Sequence, residues 1–275
     1  MANEVSVQKK MGIAGFLAQD KVKANIVSVV GEKSAPTFIS SVVSAVQTNK
    51  ELAKCSHASI LSAALLGESL HLTPSPQLGQ YYLVPYSGEA QFQMGAKGYK
   101  QLAIRSGQYR KIVTSNIKDG ELKSYNPITE EFVFEPILDE KQRNELPTVG
   151  YYAMFVLNNG FTKEIYWSKE KMESHAKQYS KGYANDLKKG TAYTFWSKDF
   201  DGMAEKTMVR QLISKWGIMS IEMQKAFEGD MGVIGDDGNV HYVDNEHDAK
   251  EDALNDIEQT ATEDFPIDTT ATEVE

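Results

Sequence analysis

The residues best equipped for bond-breaking chemistry lie together in Pro136-Ile-Leu-Asp139-Glu140-Lys141. Two adjacent carboxylates followed by a lysine can hold a magnesium ion and offset the charge that builds on a cleaved phosphodiester, as in metal-dependent nucleases. The segment is also compact, polar and followed by Gln-Arg-Asn, so a surface loop accounts for it equally well. The five histidines (His57, His71, His175, His241 and His247) form no H-E-x-x-H, and there is no G-x-S-x-G. His241 and His247 sit among carboxylates that could hold a metal weakly, although a solvated acidic tail explains them better. Gly31-Glu-Lys-Ser34 shares residues with the G-x-x-x-x-G-K-[ST] phosphate loop but not its spacing, and no G-x-G-x-x-G occurs. Chemistry driven by ATP or a dinucleotide through these motifs is therefore not expected. The single cysteine, Cys55, excludes an intramolecular disulfide and suits a reducing cytoplasm.

What remains is a pattern for binding. Seven basic residues (Lys97, Lys100, Arg105, Arg110, Lys111, Lys118 and Lys123) face only Asp119 and Glu121 across residues 97–123. On a helix, Lys97, Gln101 and Arg105 share one face, and Tyr99, Leu102 and Ala103 fall mainly on the other. Arg110 and Lys111 are adjacent, so in a regular strand only one of them meets the same surface. A further pair, Lys206 and Arg210, lies opposite the Ala204, Met208 and Leu212 stripe of a later helix. Tyr99, Tyr109, Tyr179, Tyr183, Tyr193 and Trp196 interleave with these charges. Cations that follow phosphates and rings that stack bases are what sequence-tolerant single-strand binding requires. The same residues also suit solvated faces and packed strands.

The elements that must position these residues can be read from periodicity. Helices are expected over residues 16–30, over a stretch carrying Phe38, Ile39, Val42, Val43 and Val46 after Pro36, and after a Ser56 cap. The pattern changes at Pro74-Ser-Pro76. Strands are expected over residues 81–86 and 90–94 around a Ser87-Gly88 turn, then over 109–117, with a short helix over 97–105 between them. Two further strands surround Tyr125-Asn-Pro-Ile128, and a hairpin runs over 149–167 through Asn158-Asn-Gly160. Ser168 can cap a helix over 169–178, and one long amphipathic helix is expected over 194–216. Helices, then antiparallel strands, then helices make an α+β core. The expected core is residues 1–227, helical over 1–73 and α+β over 74–227, followed by a disordered acidic tail over 228–275.

The net charge of −9 argues superficially against a nucleic-acid partner. It averages two unlike parts: 16 acidic residues against Lys250 alone after Phe227, and 28 Lys and Arg against 22 Asp and Glu before it. The body is therefore basic, with a net charge of +6. Removing everything after Phe227 is expected to strengthen DNA binding at low salt if the tail competes for the same surface. Asp264-Phe-Pro-Ile267 is an alternative partner-recruiting segment. No apolar run has the length of a membrane span, and residues 1–10 lack the apolar centre of a signal peptide, so the expected location is cytoplasmic.

Three blocks occur in order: Gln77-Leu-Gly-Gln-Tyr-Tyr-Leu-Val-Pro-Tyr86, Phe92-Gln-Met-Gly-Ala-Lys-Gly-Tyr99 and Gln101-Leu-Ala-Ile-Arg-Ser-Gly-Gln-Tyr109. Together they closely resemble the RecT family of phage recombinases, related more distantly to the Red beta annealing proteins. The resemblance covers about residues 37–227 and implies ATP-independent annealing of complementary single strands by a ring or helical filament. It also implies a Rad52-like core with a deep DNA groove, no required cofactor, magnesium serving at most as a DNA counterion, and as partners an exonuclease and a host single-strand-binding protein. The DNA-binding residues expected from the matching block are Lys97, Lys100, Gln101, Arg105, Tyr109, Arg110 and Lys111, with Lys206 and Arg210 added from the later helix. Two other readings stay open: a magnesium-dependent nuclease on Asp139, Glu140 and Lys141, and a structural phage protein.

Overall fold

The computed structural model describes residues 11–126, 128–235 and 239–241, with His241 described by its backbone alone. Its N-terminal third is helical: α1 (Ile13–Leu17), α2 (Asp20–Val30), α3 (Ala35–Thr48) and α4 (His57–Ser69). The single helix expected over 16–30 is two helices, because Gln19 is extended (ψ 136°) and starts α2 afresh. Pro36 occupies the first turn of α3, where its missing N–H leaves no hydrogen bond unmade. Phe38, Val42 and Val46 are buried in the subunit's own core, and Ile39 and Val43 pack against it. That face therefore packs within its own chain. Ser56 caps α4 by accepting from the Ser59 N–H at 3.1 Å. Ile60, Ala63 and Ala64 then run fully buried along the helix.

The hairpin of β1 (Tyr81–Tyr86) and β2 (Glu89–Met94) packs on α4. Its two-residue turn has Ser87 at φ 48° and Gly88 at φ 84°, both left-handed, which matches the twist of the paired strands. The next helix, α5 (Ala96–Arg105), lies against the chain leading into β1. Close approach explains the glycines of the Gly95-Ala-Lys-Gly98 block. A Cβ at either position would sit 2.1 Å from a backbone oxygen, that of Gly79 or of Gln80 respectively.

The central sheet follows. β3 (Tyr109–Lys118) leads into a ribbon of β4 (Leu122–Asn126) and β5 (Glu131–Phe134), then the short α6 (Glu140–Glu145), β6 (Thr148–Leu157) and β7 (Thr162–Ser168). The strands order β3-β6-β7, all antiparallel, with Asn116 opposite Tyr151 and Tyr151 opposite Trp167. The chain continues as α7 (Lys169–Tyr179), α8 (Lys181–Lys189), α9 (Phe195–Lys198), α10 (Phe200–Trp216) and α11 (Ile221–Gly229), and ends in a small pair, β8 (Val233–Ile234) and β9 (Val240–His241). α10 lies across the sheet and also packs on α5. Tyr151, Ala153, Phe155 and Leu157 of β6 are buried, and Tyr151 and Phe155 meet Phe200 and Tyr109 respectively. On the other face Tyr152 meets Phe132 and Phe134 of the β4–β5 ribbon. The fold is α+β, with antiparallel sheets packed on helices.

Two expectations need correction. The long helix over 194–216 is broken at Asp199, whose φ of −147° is not helical and whose carboxylate caps α10 by accepting from the Gly202 N–H at 3.0 Å. The boundary at Phe227 falls inside α11, and the fold continues beyond it. The Phe92 N–H donates to Gly232 O at 2.9 Å, and the Met231 N–H donates to Phe92 O at 2.8 Å. Asp230 is fully buried. A cut intended to remove only the acidic tail has to fall after His241, because one at Phe227 removes part of the core. The remainder of the expected tail lies outside the described residues.

Candidate nucleic-acid interface

The nine residues expected to meet DNA divide sharply once their environments are known. Lys206 is buried, with 8% of its side chain exposed, and its Nζ lies 2.9 Å from Asp230 Oδ1. Arg210 Nε is 3.6 Å from Asp230 Oδ2, and its guanidinium lies over the Phe227 ring. The Asp230 carboxylate also accepts from the Met94 N–H at 2.8 Å and the Tyr99 hydroxyl at 2.9 Å. This network joins β2, α5, α10 and the end of α11 inside the protein. Lys206 and Arg210 therefore balance a buried carboxylate, Lys206 from inside the core and Arg210 with 38% of its side chain still exposed.

Lys100 and Arg105 are also engaged. Lys100 Nζ donates to Glu205 Oε1 at 2.5 Å and Thr114 Oγ1 at 2.6 Å. Arg105 donates to the Leu70 and His71 carbonyls at 2.7 and 3.1 Å, and so closes the C-terminal end of α4. Tyr109 is buried and donates to Ile218 O at 3.0 Å; burial pushes its phenol up to about 12. Gln101 is exposed and accepts from Gln80 Nε2 at 3.1 Å.

Lys97, Arg110 and Lys111 differ from these. All three are exposed, and among the described residues none forms an ion pair or side-chain hydrogen bond. Lys97 stands near the start of α5, and the pair follows its end, about 15 Å of helix away. The expected alternation of Arg110 and Lys111 fails because the strand is irregular there. Tyr109 pairs with Leu157 and Lys111 with the adjacent Val156, so Arg110 is the extra residue of a bulge and both cations reach solvent. Beside Lys97 stands an aromatic pair that the charge pattern did not indicate, Tyr82 of β1 and Phe195 of α9, with ring centroids 6.0 Å apart.

The neighbouring cleft, about 420 Å³ in volume, has the opposite polarity. Asp199, Asp201 and Glu205 line it with Thr114, Asn116 and Tyr151. The Tyr151 hydroxyl donates to Asp201 at 2.6 Å; burial first, then that hydrogen bond, holds its phenol well above the usual range. Three carboxylates repel phosphate, and among the described residues only one of them, Glu205, is paired with a lysine, Lys100. The basic surface runs outside it.

The candidate nuclease residues do not converge on a metal. Asp139 caps α6, accepting from the Lys141 and Gln142 N–H groups at 2.9 and 3.2 Å. Glu140, in the first turn, complements the helix dipole, and Lys141 is exposed. Arg143 anchors the segment through a two-point ion pair to buried Glu121, at 2.6 and 3.0 Å, and a 2.7 Å bond to Asn116 O. Burial alone would raise the Glu121 carboxyl, but Arg143 and the Lys118 and Ile137 N–H groups bring it below its ordinary value. Among the described residues no three His, Cys, Asp or Glu side chains are grouped to hold a metal, and no helix is long and apolar enough to cross a membrane. His247 and the side chain of His241 lie outside the described residues.

The fold and surface together define an α+β scaffold with exposed cations at the start of α5 and the start of β3. Residues 36–251 match the model of the RecT family, and the chain belongs to that family. It is 39% identical over 219 residues to the uncharacterized protein YqaK of Bacillus subtilis, covering 80% of this chain and 72% of that one. It is 27% identical over 237 residues to Protein RecT of Escherichia coli, covering 81% of each. Membership makes it a protein of phage-type recombination and strand annealing.

Proposed function

We propose that the protein binds single-stranded DNA along the strip containing Lys97, Arg110 and Lys111 and, as an oligomer and without ATP, anneals it to a complementary strand. The observation that carries this reading is the division among the cations of one short region. Lys100 and Lys206 are paired with carboxylates, and Arg105 and Arg210 are held by acceptors of the fold while keeping exposed surface. Lys97, Arg110 and Lys111 instead face solvent without an ion pair or side-chain hydrogen bond among the described residues of a RecT-family scaffold. Such cations hold a strand through its phosphates, release counterions as they do so, and leave the bases free to pair. A second strand is retained only where its bases pair with the first, so pairing supplies the sequence test and the protein supplies alignment. No cofactor is needed, and magnesium enters only as a counterion to DNA. An exonuclease that generates single strands and a host single-strand-binding protein are the fitting partners.

Salt titration tests the assignment. Replacing Lys97, Arg110 or Lys111 by alanine is expected to reduce the slope of log affinity against log salt by about 0.7 each for a single strand. Unchanged slopes in all three variants would place the phosphate contacts elsewhere.

A further inference from the structure

Of the six aromatic residues interleaved with basic charge in the sequence, four belong to the core. Tyr99, Tyr109, Tyr183 and Trp196 are buried. A fifth, Tyr179, is 37% exposed and meets His175 at a tilt of 42°, with centroids 4.5 Å apart. The sixth, Tyr193, is 79% exposed.

The loop that presents Tyr193 is tightly held. Its anchor is Asp186 of α8, 4% exposed, whose carboxylate accepts five hydrogen bonds. The donors are Thr191 Oγ1 at 2.6 Å, the Tyr193 N–H at 3.0 Å, the Thr194 N–H and Oγ1 at 2.8 and 2.9 Å, and Ser197 Oγ at 2.7 Å. The carboxylate is thus satisfied by the loop itself, and its bonds fix the backbone at Tyr193 and at the residue after it.

Two residues further on, Phe195 is 45% exposed and meets Tyr82. The Tyr82 hydroxyl and the Lys97 side chain flank Gly79 together. Phe195 and Tyr82 therefore stand beside a solvent-facing cation, Tyr193 lies two residues before Phe195 on the same segment, and the exposed Lys198 follows it. Aromatic faces stack on any base while lysines meet the phosphates between them.

We infer that Tyr193 and Phe195 form a base-stacking platform for single-stranded DNA, joined to Lys97 through Tyr82, and that Asp186 is its positioning residue. This rests on the single-strand-binding reading above. Neither ring belongs to the buried core, Tyr193 being 79% and Phe195 45% exposed, so removing them leaves the core intact.

The test uses the full chain and two labelled probes of equal length, a thymidine oligonucleotide and a fully abasic strand. The double variant Y193A/F195A is expected to bind the thymidine strand about 5- to 150-fold more weakly than the unsubstituted protein, with abasic-strand affinity and salt slope unchanged. Y193W is expected to keep the affinity and to show fluorescence quenching when the thymidine strand binds. Adding Asp186→Asn is expected to reduce that quenching while the salt slope stays the same. An unaltered ratio of thymidine to abasic affinity in the double variant would overturn the platform. So would an equal loss on both strands accompanied by altered sedimentation, which would assign the rings to a contact between subunits. Full quenching with Asp186→Asn would overturn the positioning role. Failure of the unsubstituted protein to bind either strand would overturn the single-strand-binding reading itself.

Discussion

A lysine's role here depends on which carboxylate lies within reach, and the sequence conceals that partner when it is distant. Lys206 and Lys97 both sit on amphipathic helices among other basic residues, yet one neutralises buried Asp230 and the other faces solvent. Asp230 lies 24 positions beyond Lys206, in a stretch whose composition reads as tail. Asp186 was hidden in a similar way: its only sequence signal is a run of hydroxyl residues, Thr191, Thr194 and Ser197, which closes around it in three dimensions. The Thr191 hydroxyl and then the Thr194 N–H lead the contacts that hold this carboxyl well below the usual carboxylate range. A depressed folded-state value contributes stability that is present above the unfolded value of about 3.9 and is lost as pH falls through the folded one. Asp186→Asn is accordingly expected to melt at a lower temperature than the unsubstituted protein at pH 7, with the gap narrowing below about pH 4. Thermal melts over that range check this, and a gap independent of pH would contradict it.

Among the elements, those with local signals were legible. The Ser56 and Ser168 caps, the Ser87-Gly88 turn and the alternation in β6 each depend on residues a few positions apart, and each formed where its chemistry indicated. Breaks were harder to read. Apolar periodicity runs through Asp199 and Gln19, but capping at Asp199 and an extended backbone at Gln19 divide the helices there. The bulge at Arg110 was equally invisible, since it arises from the pairing of β3 with β6, about 45 residues away. The junction of β2, α5, α10 and α11 at Asp230 has a measurable energetic consequence. Asp230→Ala would leave Lys206 buried without its partner and strip the Met94 N–H and Tyr99 hydroxyl of their acceptor. A loss of about 3–5 kcal/mol is expected in urea unfolding. A loss below about 1 kcal/mol would mean that the network does not hold these elements together.

For the whole molecule, the charge separation read from the sequence holds in outline but shifts in position. The folded body reaches at least His241 and takes Asp230 inside, and 12 of the 16 acidic residues after Phe227 lie further along the chain. The family was legible because its three blocks build the hairpin, its close contact with α5 and the start of β3, where glycine spacing and turn chemistry are locally determined. The individual DNA-facing residues were not, because exposure depends on partners from the whole fold. The most direct measurement of annealing is a gel-shift series without ATP. It compares one labelled strand, the same strand followed by its complement, and the duplex formed beforehand, all at one salt concentration. Tightest binding is expected for the product of sequential addition. Equal or tighter binding to preformed duplex would contradict annealing on the protein surface.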